Sequence, residues 1–225
     1  MLVLALDSAT SACSAALWQD GTLLAHRFAA MERGQSEVLV PMVAEVMEAA
    51  GCAFDQLDLL AVTVGPGAFT GIRIGLATAR ALALAAGKPL AGIATPEVVA
   101  AAVPEAERQG RTVLVVLESR REELWVQAFS PALEPLGEIR ALTPAQIAAA
   151  ATGPVVLAGD ACPLVAPLLS GAALAGATLA SSAGAPDARL LAPLAARRWA
   201  VGTALAPEPL YLRPADVTVA QCAAP

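Results

Sequence analysis

The stretch GPGAFTGIRIG, residues 65–75, holds the residue types and spacing most suggestive of chemistry in this chain. Gly65, Gly67 and Gly71 stand between an apolar run and a helix-forming one. There a parallel α/β sheet turns a helix N-terminus, with its free amide groups, toward anions. The spacing G-x-G-x-x-x-G is one residue longer than the dinucleotide fingerprint. The one Gly-Lys pair, Gly87-Lys88, is followed by proline, not by the serine or threonine of a P-loop. Phosphate binding and a glycine turn that lets strand and helix pack closely both fit these residues. Asp7, ending the first apolar run, is followed by Ser8 and Thr10. Such an acid can place a metal-bound water and a phosphate, or it can cap its own turn. Asp160, after VLAG, is a second acid of the same kind. His26 is the sole histidine, so a two-histidine metal site is excluded by count, and no G-x-S-x-G elbow accompanies it.

The elements that must position these residues follow from pattern. Residues 2–7 read as a buried strand. Residues 13–18 and 22–29, joined at Asp20-Gly21, complete an antiparallel meander. In residues 35–51, Leu39, Met42, Val43, Val46 and Met47 form a helical stripe, and Gly51 is its stop. Residues 57–64 are the fourth strand, 70–87 a second helix ended by Gly87, and 88–94 a fifth strand. A third helix opens with Thr95 as its cap and Pro96 in its first turn. The order β-β-β-α-β-α-β predicts a mixed sheet whose β-α-β-α-β part is parallel and right-handed. The polar stretch PEAERQG, 104–110, is the expected boundary between a lobe of residues 1–104 and a smaller, divergent second lobe of 105–225, whose tail is a candidate to pack back on the first. Beyond it, 112–119, 123–130 and 154–160 read as strands, 143–151 as a short Thr-capped helix and 187–202 as a helix containing Pro193. The tail 207–214 is extended by its prolines. Residues 161–186, rich in Ala, Gly, Pro and Ser, carry little pattern.

The 225 residues suffice for a sizeable core, built mainly from aliphatic side chains because aromatics are only 4%. With a net charge of -6 and Lys88 as the sole lysine, the chain lacks a broad basic footprint for nucleic acid. The four cysteines form no C-x-x-C pair and read as reduced thiols of a cytoplasmic protein. The opening MLVLALDSAT has no basic region and reaches Asp7 at once, so no signal peptide is expected. The apolar runs are interrupted by Gly, Pro or charge, so no membrane span is expected. Arg73 and Arg80, seven apart, lie near one face of the helix 70–87, whose other residues are almost all small or apolar. Such a helix is either buried centrally or covered by a partner.

LALDSATSACSAAL, QSEVLVPMV and above all GPGAFTGIRIG resemble the TsaB (YeaZ) family, bacterial proteins of threonylcarbamoyladenosine tRNA modification. The likeness covers most of residues 2–102 and returns in PLYLRPADV near the end. The family pattern is close to GPGSFTGxRIG. Here Ala68 stands where serine is usual, and Gln35 where many members have histidine. The resemblance implies an actin-like, sugar-kinase-like ATPase fold of two ribonuclease-H-like lobes. The pathway's catalytic paralogue, TsaD, carries a His-x-x-x-His metal motif soon after the fifth strand. The matching region here, IATPEVVAAA from Ile93, has no histidine.

The resemblance therefore implies a non-catalytic partner of TsaD that, with the ATPase TsaE, supports threonylcarbamoyl transfer to the adenosine beside the anticodon. ATP and a metal would be used by TsaE and TsaD, with no cofactor required by this chain. tRNA would be met only through the complex, and a homodimer would form when the chain is alone. Asp7, Ser8, Gly65, Gly67, Thr70 and Gly71 are then the vestige of a nucleotide or phosphate loop, serving as a turn that launches an interface helix. Leu39, Met42, Val46, Ile72, Arg73, Leu76, Ala79 and Arg80, on the helices 35–50 and 70–87, are the expected partner surface. The alternatives are an ATP-binding sugar-kinase-like enzyme and a protease. Neither has its full set of residues here.

Overall fold

The computed structural model describes residues 1–150, 152–169, 177–181 and 184–212. Alternating apolar strands and two glycine-ended helices build its first lobe. Strands β1 (Leu2–Asp7), β2 (Ala12–Gln19), β3 (Thr22–Ala30), β4 (Leu59–Gly65) and β5 (Leu90–Ala94) form a sheet of order β3-β2-β1-β4-β5. The β1, β2 and β3 pairs are antiparallel; β1, β4 and β5 are parallel. Helices α1 (Gln35–Ala49) and α2 (Phe69–Ala86) cover one face, where Leu2, Leu4 and Leu6 of β1 meet Leu39, Val46 and Leu76. Each such fully buried aliphatic side chain stabilises the lobe by about 2 kcal/mol. By length and composition α2 could cross a membrane. Ile72, Gly75, Leu76, Ala79 and Ala83 of this helix are buried.

The second lobe repeats the plan. Strands β6 (Thr112–Leu117), β7 (Leu124–Phe129), β8 (Arg140–Leu142), β9 (Val155–Ala158) and β10 (Thr178–Leu179) form a sheet of order β10-β9-β6-β7-β8. Helices α5 (Pro144–Ala150) and α6 (Cys162–Leu169) cover one face. The short α3 (Thr95–Ala101) lies between the lobes, with α4 (Glu105–Arg108) just beyond it. Val98 of α3 enters the core of the first lobe, whereas Val99 and Ala100 enter that of the second. Two mixed five-stranded sheets are the arrangement the resemblance implies.

Three expectations need correction. Helix α7 (Ala188–Ala200), assigned by the boundary at residue 104 to the second lobe, covers the first sheet's free face with Ala188, Leu191, Ala192 and Ala195. The segment after it stays there: Leu205 and Gly92 exchange both backbone bonds at 2.9 Å, and Leu210 N–H donates to Val64 O at 2.8 Å. The part of the tail from residue 213 lies outside the described residues. Thr95 does not cap α3; Ala94 is its cap residue, and the buried Thr95 hydroxyl has no partner among the described residues. Residues 161–186, nearly patternless in sequence, contain α6 and β10. The Thr143 cap does form, as Thr143 and Gln146 exchange backbone-to-side-chain bonds of 2.9 and 3.3 Å.

Candidate functional site

The glycine loop joins β4 to α2, and what it grips is its own chain. Gly65 closes β4, and Ala68 precedes the first turn of α2. A Cβ on Gly67 would stand 2.2 Å from Ala9 O, and one on Gly71 2.1 Å from Ser8 O. Real Cβ atoms essentially never come so close, so glycine is required at both places to seat the β1–β2 turn against the loop. The seat is bonded: Ala68 N–H donates to Ala9 O at 2.7 Å, and Ser8 Oγ donates to Gly71 O at 2.9 Å. The structure therefore brings Asp7, Ser8, Gly65, Gly67 and Gly71 together, while Thr70 faces solvent. Backbone carbonyls fill the space over Gly67 and Gly71 that an anion would need.

Asp7 is wholly buried at the end of β1. Thr63 Oγ1 donates to its Oδ1 at 2.5 Å and Ala9 N–H at 3.2 Å, and Oδ2 has no partner among the described residues. Burial pushes its pKa up to about 7; those two bonds oppose the rise, and the charge of Asp187 adds to it. Asp160, beyond β9, accepts the N–H of Glu118 at 2.8 Å, and burial raises its pKa as well. His26 Nε2 on β3 lies 2.8 Å from Asp187 Oδ1, and that oxygen also accepts Arg189 N–H at 2.9 Å, capping α7. The pair fastens the edge strand to the start of α7. The sequence offered for it only an Asp just ahead of a helix, a common capping signal. Cys13, Cys52 and Cys162 are free thiols, and among the described residues no group of three His, Cys, Asp or Glu could hold a metal.

The expected partner surface divides in two. Leu39, Met42, Val46, Ile72, Leu76 and Ala79 are 7% exposed or less and belong to the core under α1 and α2. They fall on the stripe that must face the chain's own sheet, so they are corrected from surface to core. Arg73 and Arg80 are exposed but engaged by the tail. Arg73 Nε donates to Tyr211 Oη at 2.9 Å, its guanidinium lies 3.4 Å over the Phe69 ring, and that ring stacks on Tyr211 at 5.8 Å. Arg80 Nε donates to Pro207 O at 2.9 Å. The outward face consists instead of Ala77, Ala81 and Leu84 on α2 with Val40, Pro41 and Ala44 on α1. Leu84 is 85% and Val40 53% exposed. Sequence reasoning missed these because alanine and leucine occur on both faces of α2.

Two lobes with a mixed sheet each and a linking helix define an actin-like, sugar-kinase-like fold. The activator of 2-hydroxyisocaproyl-CoA dehydratase from Clostridium difficile shares it, with a TM-score of 0.51 at 10% identity over 90% of this chain and 97% of that one. The model of one family, TsaD: tRNA N6-adenosine threonylcarbamoyltransferase, matches residues 24–153, more than half of the chain, and the chain belongs to that family. The tRNA threonylcarbamoyladenosine biosynthesis protein TsaB of Escherichia coli is 39% identical over 126 residues, 56% of this chain and 53% of that protein. The chain spans about half the length of the curated TsaB relatives it matches. The solved structure of YeaZ from Pseudomonas aeruginosa covers 94% of this chain and 99% of its own, with a TM-score of 0.80 and 29% identity. The TsaB and YeaZ resemblance carried by GPGAFTGIRIG is thus borne out.

Proposed function

We propose that this chain is an accessory subunit in the formation of N6-threonylcarbamoyladenosine in tRNA, beside the anticodon, with TsaD as its partner and TsaE as the ATPase. One observation carries the non-catalytic part: Gly67 and Gly71 seat the chain's own turn, so the loop serves packing. The outward face of α1 and α2 offers Val40 and Leu84, an exposed apolar pair suited to a protein partner. A second copy of the chain takes that place when TsaD is absent. ATP and metal serve TsaE and TsaD, tRNA is met through the complex, and the assembly works in the cytoplasm. The sugar-kinase-like alternative would draw its magnesium-directing carboxylates from Asp7 and Asp160. Burial raises the pKa of both in the metal-free chain, Asp7 up to about 7.

Reconstitution tests this reading. Purified TsaD, TsaE, tRNA and threonylcarbamoyl-adenylate are assayed with and without this chain, and this chain is assayed without TsaD. Modified adenosine is expected to fall several-fold when the chain is omitted and to stay at background when TsaD is omitted. Product made by this chain without TsaD, or full activity without this chain, contradicts it.

A further inference from the structure

We propose that the cavity between β3, the end of α3 and the first turn of α7 binds a carboxylate with an apolar body. The cavity holds about 340 Å³, within the ~300–1,000 Å³ of small-ligand sites. None of its lining residues belongs to the glycine loop or to the β1–β2 turn. Phe28, Ala101 and Leu190 give it apolar walls, and His26, Asp187 and Arg189 supply its polar groups. His26 and Phe28, two apart on an edge strand, stand on the same face of it. Phe28 is 39% exposed, a large ring left uncovered beside the cavity.

The mark of a ligand is the way Arg189 is held. Asp187 is 8% exposed. Its Oδ1 accepts Arg189 N–H at 2.9 Å and lies 2.8 Å from His26 Nε2, and its Oδ2 pairs with Arg189 Nε at 3.0 Å. A nearly buried carboxylate thus anchors the guanidinium through Nε alone. Its two Nη nitrogens make no hydrogen bond or ion pair among the described residues. Those two nitrogens form the fork by which arginine takes the two oxygens of a carboxylate. A fork already held in place loses less freedom when a ligand arrives. Asp187 carries the only negative charge among the described lining residues, and Arg189 and the N-terminal amides of α7 offset it. The ring of Phe28 and the side chain of Leu190 favour an apolar body, since contact with them removes both surfaces from water.

His26 is the sole histidine, so its ring protons are an unambiguous NMR reporter on the wall of this cavity. The full chain is titrated with phenylacetate, acetate, benzylamine and N-acetylglycylphenylalanine at constant pH and ionic strength. Phenylacetate is expected to shift the His26 signals saturably and to bind more tightly than acetate. Benzylamine, apolar but cationic, is expected to leave them in place. Arg189→Gln is expected to weaken phenylacetate about tenfold, and Phe28→Ala several-fold. Both side chains are exposed, and circular dichroism checks that both variants fold; either folded variant carries the test alone. Phenylacetate binding more tightly than the peptide identifies a free acid as the source of the carboxylate; the reverse identifies a chain end. No saturable shift with phenylacetate up to ~10 mM, acetate or benzylamine binding as tightly, or a folded variant that binds phenylacetate unchanged, overturns the proposal.

Discussion

Gly71→Ala is expected to destabilise the chain by about 2–3 kcal/mol, against the ordinary preference of helices for alanine. Gly71 lies in the first turn of α2, where helix propensity alone would favour alanine by about 1 kcal/mol. Its added Cβ would stand 2.1 Å from Ser8 O. That neighbour is backbone, pinned by the bond from Ser8 Oγ to Gly71 O and by the pairing of Asp7 with Ser14. It cannot swing away as a side-chain tip would, so α2 or the turn must move as a unit. Urea unfolding of parent and variant measures the difference. A variant as stable as the parent would show that the turn does not depend on the glycine seat.

Asp7→Asn should remove a large part of the loss of stability with rising pH, to which the burial-raised Asp160 also contributes. Asp7 has a folded pKa of about 7 against an ordinary 3.8, so the folded chain holds the proton more tightly than the unfolded one. Stability from the neutral acid is therefore complete below the ordinary value. It is lost progressively as pH rises toward 7 and is flat above, a total of about 4 kcal/mol. Asparagine keeps the oxygen that accepts from Thr63 and Ala9 and never ionises. The parent is expected to lose stability relative to the variant between about pH 4 and pH 7, leaving the variant the more stable at pH 8. Parallel pH profiles for the two, followed by urea unfolding, would refute this.

What the sequence made legible was local. The helical stripe from Leu39 to Met47 was legible as one apolar face of α1, with Glu37, Glu45 and Glu48 on its other side, but Leu39, Met42 and Val46 on it face the chain's own sheet and not a partner. The same reading failed on α2, where Leu76 at 2% and Leu84 at 85% exposure are chemically identical letters. There the sheet decides the face, and no polar stripe records it. The spacing of Gly65, Gly67 and Gly71 announced a close approach but not the approaching body, a turn some sixty residues earlier in the chain. Helix α7 was foreseen as a helix and assigned to the wrong lobe. Its place on the first sheet depends on Asp187 reaching His26 and on Ala188 N–H donating to Ser14 Oγ, contacts spanning 161 and 174 residues.

The most direct measurement is isothermal titration of purified TsaD from the same organism into the full chain, with Leu84→Glu beside the parent. Leu84 is 85% exposed, so the substitution leaves the core intact. The expected result is saturable binding by the parent, weakened at least about tenfold by a charge placed in the apolar contact. A parent that shows no binding to TsaD, or a folded Leu84→Glu variant that binds as tightly as the parent, would contradict it.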